Sequence, residues 1–156
     1  MHARKAGHFS QLLYGVKLQA IMRPTVAIID ADAGMQQTLR ALLGTLNIEI
    51  ESYSSAELYL AKASRGNGHA LACVIADVSL PGMSGLELLQ RIRAVDRYLP
   101  VVLLATEAEV PIAVEAMHQG ATDFIEKPQL DVLLLRRVSQ LVHTGAQDKT
   151  RNSRLG

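Results

Sequence analysis

From Pro24 to about His143, short apolar runs rich in β-branched residues alternate with stretches whose apolar positions recur every three or four residues. The runs are "TVAIID" (25–30), "IEIESY" (48–53), "LACVIAD" (71–77), "PVVLLAT" (100–106) and "TDFIEK" (122–127). Continuous apolar runs suit strands buried on both faces, and intervening helical periods suit crossover helices. The pattern predicts an α/β fold: a doubly wound sheet of five parallel strands with helices on both sides.

The helical stretches carry their own punctuation. Met35, Leu39, Leu42, Leu43 and Leu46 share one face of the first. Ser54 with Glu57, and Ser84 with Glu87, have the S-x-x-E spacing of a capping box. Pro111 suits the first turn of the fourth helix, and Gly120 suits the left-handed residue that ends it. Leu130, Leu133, Leu134, Val138 and Leu141 line the fifth.

The ends look different. Residues 1–23 hold Arg4, Lys5, Lys17 and Arg23 with no acid before Asp30, but Gln11, Lys17 and Gln19 interrupt the apolar core that a secretory signal needs. Phe9, Leu12, Leu13 and Val16 recur at helical spacing, so this extension reads as a mobile or dispensable segment or a docking helix, with Met22 an alternative start. Residues 144–156 read as a polar, frayed tail. The domain is expected to span 24–143.

Composition narrows the class. A chain of 156 residues suits one domain, and 16 Lys and Arg against 15 Asp and Glu show no bias toward nucleic acid or anionic membrane. No apolar stretch reaches the roughly 18 residues that span a bilayer. The single Cys73, inside "LACVIA", reads as a buried small hydrophobe, which implies a reducing cytoplasm. His69, His118 and His143 fall on different elements, so no metal cluster is expected from them, and Arg136 and Arg137 read as a solvated face of the fifth helix or as a partner surface.

In a parallel sheet the C-terminal ends of all strands meet at one rim. Asp30 closes strand one, Asp77 strand three, Thr106 strand four and Lys127 strand five. Two carboxylates, a hydroxyl and an ammonium are the groups that phosphoryl transfer to a carboxylate requires. With strand order 2-1-3-4-5, Asp30 and Asp77 flank the topological switch point. Asp30-Ala31-Asp32 also fits the D-x-D nucleophile and acid of a haloacid-dehalogenase-type phosphohydrolase. Against that reading, Gly34 stands where Thr or Val is usual, and only Asp131 and Asp148 follow Lys127 to supply a later acidic pair.

"VAIIDADAGMQQTLRALL", "CVIADVSLPGMSGLELL" and "VPIAVEAMHQGATDFIEKP" resemble the receiver domain of two-component response regulators, with a FixJ-like pattern. The resemblance implies a flavodoxin-like (βα)5 fold in which Asp77 accepts a phosphoryl group from a sensor histidine kinase or phosphotransfer protein. It further implies Mg2+ held by Asp30, Asp77 and the backbone carbonyl of Ser79, with Thr106 and Lys127 binding the phosphoryl group. Phe124 matches the family's rotating aromatic switch, and Lys127-Pro128 is implied to be a cis peptide. Output is implied to run through the fourth helix, fifth strand and fifth helix, where such domains also form homodimers. The resemblance implies a phosphoacceptor domain in signalling rather than an enzyme.

Two positions depart from that pattern. Ala31 replaces a second acidic residue, and a carboxylate about 4 Å from a divalent ion contributes roughly 8 kcal/mol gross at an effective dielectric of 20, most of it cancelled by dehydration. A surviving 1.4–2.8 kcal/mol would correspond to roughly ten- to a hundredfold weaker Mg2+ binding. Mg2+ commonly manages with one or two carboxylates plus water and phosphate oxygens. Asp32 reads as a helix N-cap rather than a third ligand. Glu107 follows Thr106 where a small residue is usual; it either repels an incoming phosphoryl group or supplies the charge that Ala31 lacks. Both departures suit an alternative, a pseudo-receiver that acts as an interaction module without phosphate. FixJ-like proteins usually continue into a helix-turn-helix domain, for which too few residues follow 143; the expectation is a stand-alone receiver or a piece of a longer protein, with no nucleic-acid binding by these residues.

Overall fold

Five parallel strands hydrogen-bond in the order β2-β1-β3-β4-β5. They are β1 (Thr25–Ile29), β2 (Glu49–Tyr53), β3 (Leu71–Asp77), β4 (Val101–Ala105) and β5 (Asp123–Glu126). The computed structural model describes residues 23–65, 70–127 and 130–154. Helices α1 (Ala33–Leu43), α2 (Ala56–Ala63), α3 (Gly85–Val95), α4 (Ala113–His118) and α5 (Leu130–Arg154) make the crossovers and close the chain. The expected doubly wound α/β architecture and strand order are those observed.

Strand residues alternate between two cores, as the two-residue period of a strand requires. Ala27, Ile29, Val74, Ala76, Val101, Leu103 and Ala105 face α2, α3 and α4, where Tyr59, Leu88, Leu89, Ile92 and Ala116 cover them. Val26, Ile28, Cys73, Ile75, Val102, Leu104 and Ile125 face α1 and α5, which contribute Leu39, Leu43, Leu134 and Val138. α4 contributes a single buried residue, Ala116.

Local punctuation holds in part. Ser84 and Glu87 form the expected reciprocal capping box at α3. At α2 the cap is Ser55, whose hydroxyl accepts from the Leu58 amide, and not Ser54. The Glu57 carboxylate also reaches across to the loop before α3 and accepts from the Met83 amide at 2.6 Å. Pro111 lies inside a 3-10 segment, Glu107–Ile112, that precedes α4 rather than in the first turn of α4 itself. Gly120 ends α4 with φ +94°, as expected. Leu133 is exposed, while Leu134 and Val138 carry the buried stripe of α5.

α5 continues to Arg154, so the segment from Thr144 to Arg154 is helical rather than frayed. No proline follows Leu130, and the ladder of backbone hydrogen bonds has nothing to interrupt it. Residues 1–22 of the N-terminal extension, His69 and the Lys127-Pro128 bond lie outside the described residues.

Candidate functional site

Register brings the polar residues together. Ile29 pairs with Ala76, so the next residues, Asp30 and Asp77, stand side by side at the end of adjacent strands. Ala105 pairs with Glu126, which sets Thr106 beside Lys127 in the same way. Asp77 is level with Leu104, the residue two before Thr106.

Both aspartates are buried although ionisable: Asp30 is 2% exposed and Asp77 7%. Buried carboxylates need partners, and here they are shared unequally. Asp77 Oδ1 accepts from the Ser79 amide at 3.1 Å, and Asp77 Oδ2 accepts from Lys127 Nζ at 2.8 Å. Asp30 Oδ1 accepts from the Asp32 amide at 2.9 Å. Among the described residues Asp30 Oδ2 has no hydrogen-bond partner, and the cation paired with it is Lys127 Nζ at 3.8 Å. Burial pushes the Asp30 carboxyl above its ordinary pKa, with the Asp32 amide and Lys127 acting the other way. Burial alone would lower Lys127, but the Asp77 hydrogen bond and the charges of Asp77, Asp30 and Glu109 outweigh it, and the ammonium is held above its usual value.

The backbone around these groups is fixed by close packing. The Gly85 amide donates to the Val78 carbonyl at 3.0 Å. A Cβ at Gly85 would come within 2.3 Å of the Asp77 carbonyl oxygen, so only glycine lets α3 start this near the end of β3. Gln36 Nε2 donates to the carbonyls of Asp30 and Tyr53 at 2.6 and 3.2 Å and pins the end of β1.

Asp32 faces outward. Its Oδ1 accepts from the amides of Gly34 and Met35 at 2.8 and 3.2 Å, which makes it the N-cap of α1. A carboxylate committed to two helix amides is not aimed at the rim as a catalytic acid, so the D-x-D hydrolase reading loses its second residue. Phe124 is half-buried and packs on the core that faces α2, α3 and α4. The side chain of Glu107 lies outside the described residues.

A residue not singled out from the sequence enters the site instead. Glu109 Oε1 accepts from the Thr106 amide at 2.9 Å and from the Thr106 hydroxyl at 2.8 Å. Its other oxygen accepts from the Ser79 hydroxyl, thirty residues away in the chain. Burial would raise Glu109, but the Ser79 and Thr106 hydrogen bonds and the Lys127 charge prevail and hold its carboxyl below the usual value. The signal was present as T-x-x-E at 106–109, the same spacing as the Ser84–Glu87 box.

For a divalent cation the rim offers the two carboxylates of Asp30 and Asp77, the first with a buried oxygen that has no partner among the described residues. This all-oxygen set suits Mg2+. Among the described residues no three His, Cys, Asp or Glu side chains converge as a metal-binding group.

Comparison with known proteins gives a consistent picture. The family model for the response regulator receiver domain matches residues 26–139. The transcriptional regulatory protein FixJ of Bradyrhizobium diazoefficiens is 34% identical over 117 residues, covering 75% of this chain and 56% of that protein. The response regulator protein TodT of Pseudomonas putida is 26% identical over 141 residues, 90% of this chain and 61% of TodT. Full-length FixJ from B. japonicum superposes with a TM-score of 0.69 at 33% identity, over 77% of this chain and 58% of that structure. A receiver domain protein from Clostridium thermocellum, at 22% identity, superposes with a TM-score of 0.72 over 80% of this chain and 98% of its own, and so supports the fold. The chain thus spans little more than half the length of the FixJ proteins it matches.

Proposed function

The chain belongs to the response regulator receiver family, and on that premise we propose that Asp77 accepts a phosphoryl group from a phosphohistidine on a sensor kinase or phosphotransfer protein. The observation that carries the reading is the convergence of Asp30, Asp77 and Lys127 from three strands, with Lys127 Nζ 2.8 Å from Asp77 and 3.8 Å from Asp30. An Asp77 oxygen forms the new O–P bond as the donor's P–N bond breaks. The bonding pair stays on the imidazole nitrogen, which takes up a proton from solvent. Lys127 offsets the charge added to Asp77, and the Thr106 hydroxyl donates to a phosphoryl oxygen.

Asp30, Asp77 and the Ser79 carbonyl would hold Mg2+, whose charge would offset the buried Asp30 carboxylate, one oxygen of which has no partner among the described residues. When bound, the ion neutralises charge on the phosphoryl oxygens. With Ala31 in place of an acid, that binding is weak. Movement of the Thr106 hydroxyl toward the phosphoryl group, followed by Phe124, shifts the population of the α4-β5-α5 face. Both α4 and α5 contact the edge strand β5, and Val114, Met117, Val132 and Leu133 on them are exposed. Such a surface suits homodimerisation or contact with an output partner. Among the described residues no helix is long and apolar enough to cross a membrane, in keeping with action in the cytoplasm.

The test is intact mass after incubation with acetyl phosphate and Mg2+. One phosphoryl adduct that disappears in Asp77→Asn is expected. An adduct that disappears only in Asp30→Asn would restore the hydrolase reading, and no adduct at all would favour a pseudo-receiver.

A further inference from the structure

Thr106 has one hydroxyl proton to give, and that proton is committed. It goes to Glu109 Oε1, which also takes the Thr106 amide. The other Glu109 oxygen takes the hydroxyl of Ser79, whose own amide is bonded to Asp77. One carboxylate therefore bridges the loop after β3 and the start of the 3-10 segment after β4, directly beside the proposed phosphoacceptor. A helix-capping role explains the two bonds to Thr106. It does not explain the bond to Ser79, which belongs to another element, nor the favourable charge interaction with Lys127.

We infer that Glu109 is a resident anion that holds the hydroxyls of Thr106 and Ser79 in the unphosphorylated protein and must release Thr106 before a phosphoryl group on Asp77 can bind it, so that Glu109 limits the rate of phosphorylation. This rests on Asp77 being the phosphoacceptor. The exclusion has two sources. A hydroxyl is a single donor, so the carboxylate and the phosphoryl oxygen cannot both receive it. A phosphoryl group also carries close to two negative charges, and a neighbouring carboxylate repels it. Glu109 is thus a positioning residue acting through Thr106, and its departure frees the first turn of the segment Glu107–Ile112, which leads into α4.

The experiment compares the full chain with Glu109→Gln and Glu109→Ala. Glutamine keeps an acceptor oxygen for the cap but drops the charge; alanine drops both. The pseudo-first-order rate of adduct formation with acetyl phosphate and Mg2+ is read by intact mass, thermal unfolding reports the cap, and the Thr106 amide is followed in 1H–15N spectra. Alanine is expected to accelerate phosphorylation about tenfold, the factor that corresponds to one charge-assisted hydrogen bond, with glutamine in between and closer to the parent in thermal stability. The Thr106 amide resonance of the phosphorylated parent is expected to shift in the same direction as in the unphosphorylated alanine variant. Rates equal to or slower than the parent, with the parent phosphorylated normally, would overturn this inference alone. Absence of an adduct in all three proteins would overturn the phosphoacceptor reading and this inference with it.

Discussion

Lys127 Nζ stands 2.8 Å from Asp77 Oδ2 across fifty residues of chain, and the same ammonium is paired with Asp30 at 3.8 Å. One positive charge therefore serves two buried carboxylates. Asp77 takes the hydrogen bond, and Asp30 is left with an oxygen that no group among the described residues satisfies.

That imbalance makes Asp30 a cost to the fold in the absence of a cation. Asn at this position keeps an oxygen for the Asp32 amide and removes the charge. Asp30→Asn is expected to be more stable than the parent by about 1 kcal/mol at pH 7 with chelator present, since burial disfavours the ionised carboxylate and the amide carries no charge to desolvate. The sign with pH follows from the raised pKa: the unfolded carboxyl titrates near 3.8 and the folded one above it. The penalty is therefore complete above the folded value and vanishes below 3.8. Urea unfolding at a series of pH values is expected to show the gap between variant and parent closing as pH falls through that window.

Asp32 provides the contrast. Its carboxylate serves the α1 amides of Gly34 and Met35, so Asp32→Ala is expected to cost about 1 kcal/mol of stability. The rise in melting temperature on adding Mg2+ is expected to match the parent's. Loss of that rise in Asp32→Ala would mean that Asp32, not Asp30, holds the cation.

Gly85 has no room for a methyl group. Its position 2.3 Å from the Asp77 carbonyl oxygen, measured from where a Cβ would sit, is backbone against backbone and has no flexible side chain to yield. Gly85→Ala is expected to destabilise by about 2 kcal/mol or more, as overpacking in a tight interior does. Denaturant midpoints check the cost, and amide shifts at Val78 and Ser79 check that the end of β3 moves.

Cys73 is fully buried, and burial pushes its thiol up to about 12. At pH 8 almost none is thiolate, so iodoacetamide is expected to leave the native protein unmodified over hours and to label it stoichiometrically in guanidinium. Labelling of the native protein at the rate of a free thiol would show that β3 opens far more readily than its burial implies.

Legibility from sequence tracked the scale of the pattern. The five strands could be read because apolar runs and helical periods extend over many residues, while their order came as a supposition that the resemblance to receiver domains supported. Asp30, Asp77, Thr106 and Lys127 were recognisable because each closes a strand, and parallel strands deliver their ends to one rim. What escaped were choices between adjacent, chemically similar residues. Ser54 and Ser55 both suit a cap, and only the path of the chain into α2 selects the second. Glu57 had the right spacing for a box but finds a stronger partner in Met83, which sequence distance conceals. Glu107 drew attention as the neighbour of Thr106, whereas Glu109 reaches it because the segment winds as a 3-10 turn.

The single methyl by which α4 enters the core has a bearing on how the molecule opens. α1 and α5 each bury two large side chains, and α3 buries Leu88, Leu89 and Ile92; α4 buries only Ala116. Since the free energy of local opening scales with the apolar area a segment withdraws from water, the fold is graded, with α4 its most loosely moored helix. Backbone amides of 113–118 are expected to exchange with deuterium well before those of 85–95, the grading being set by side-chain size before any signal arrives.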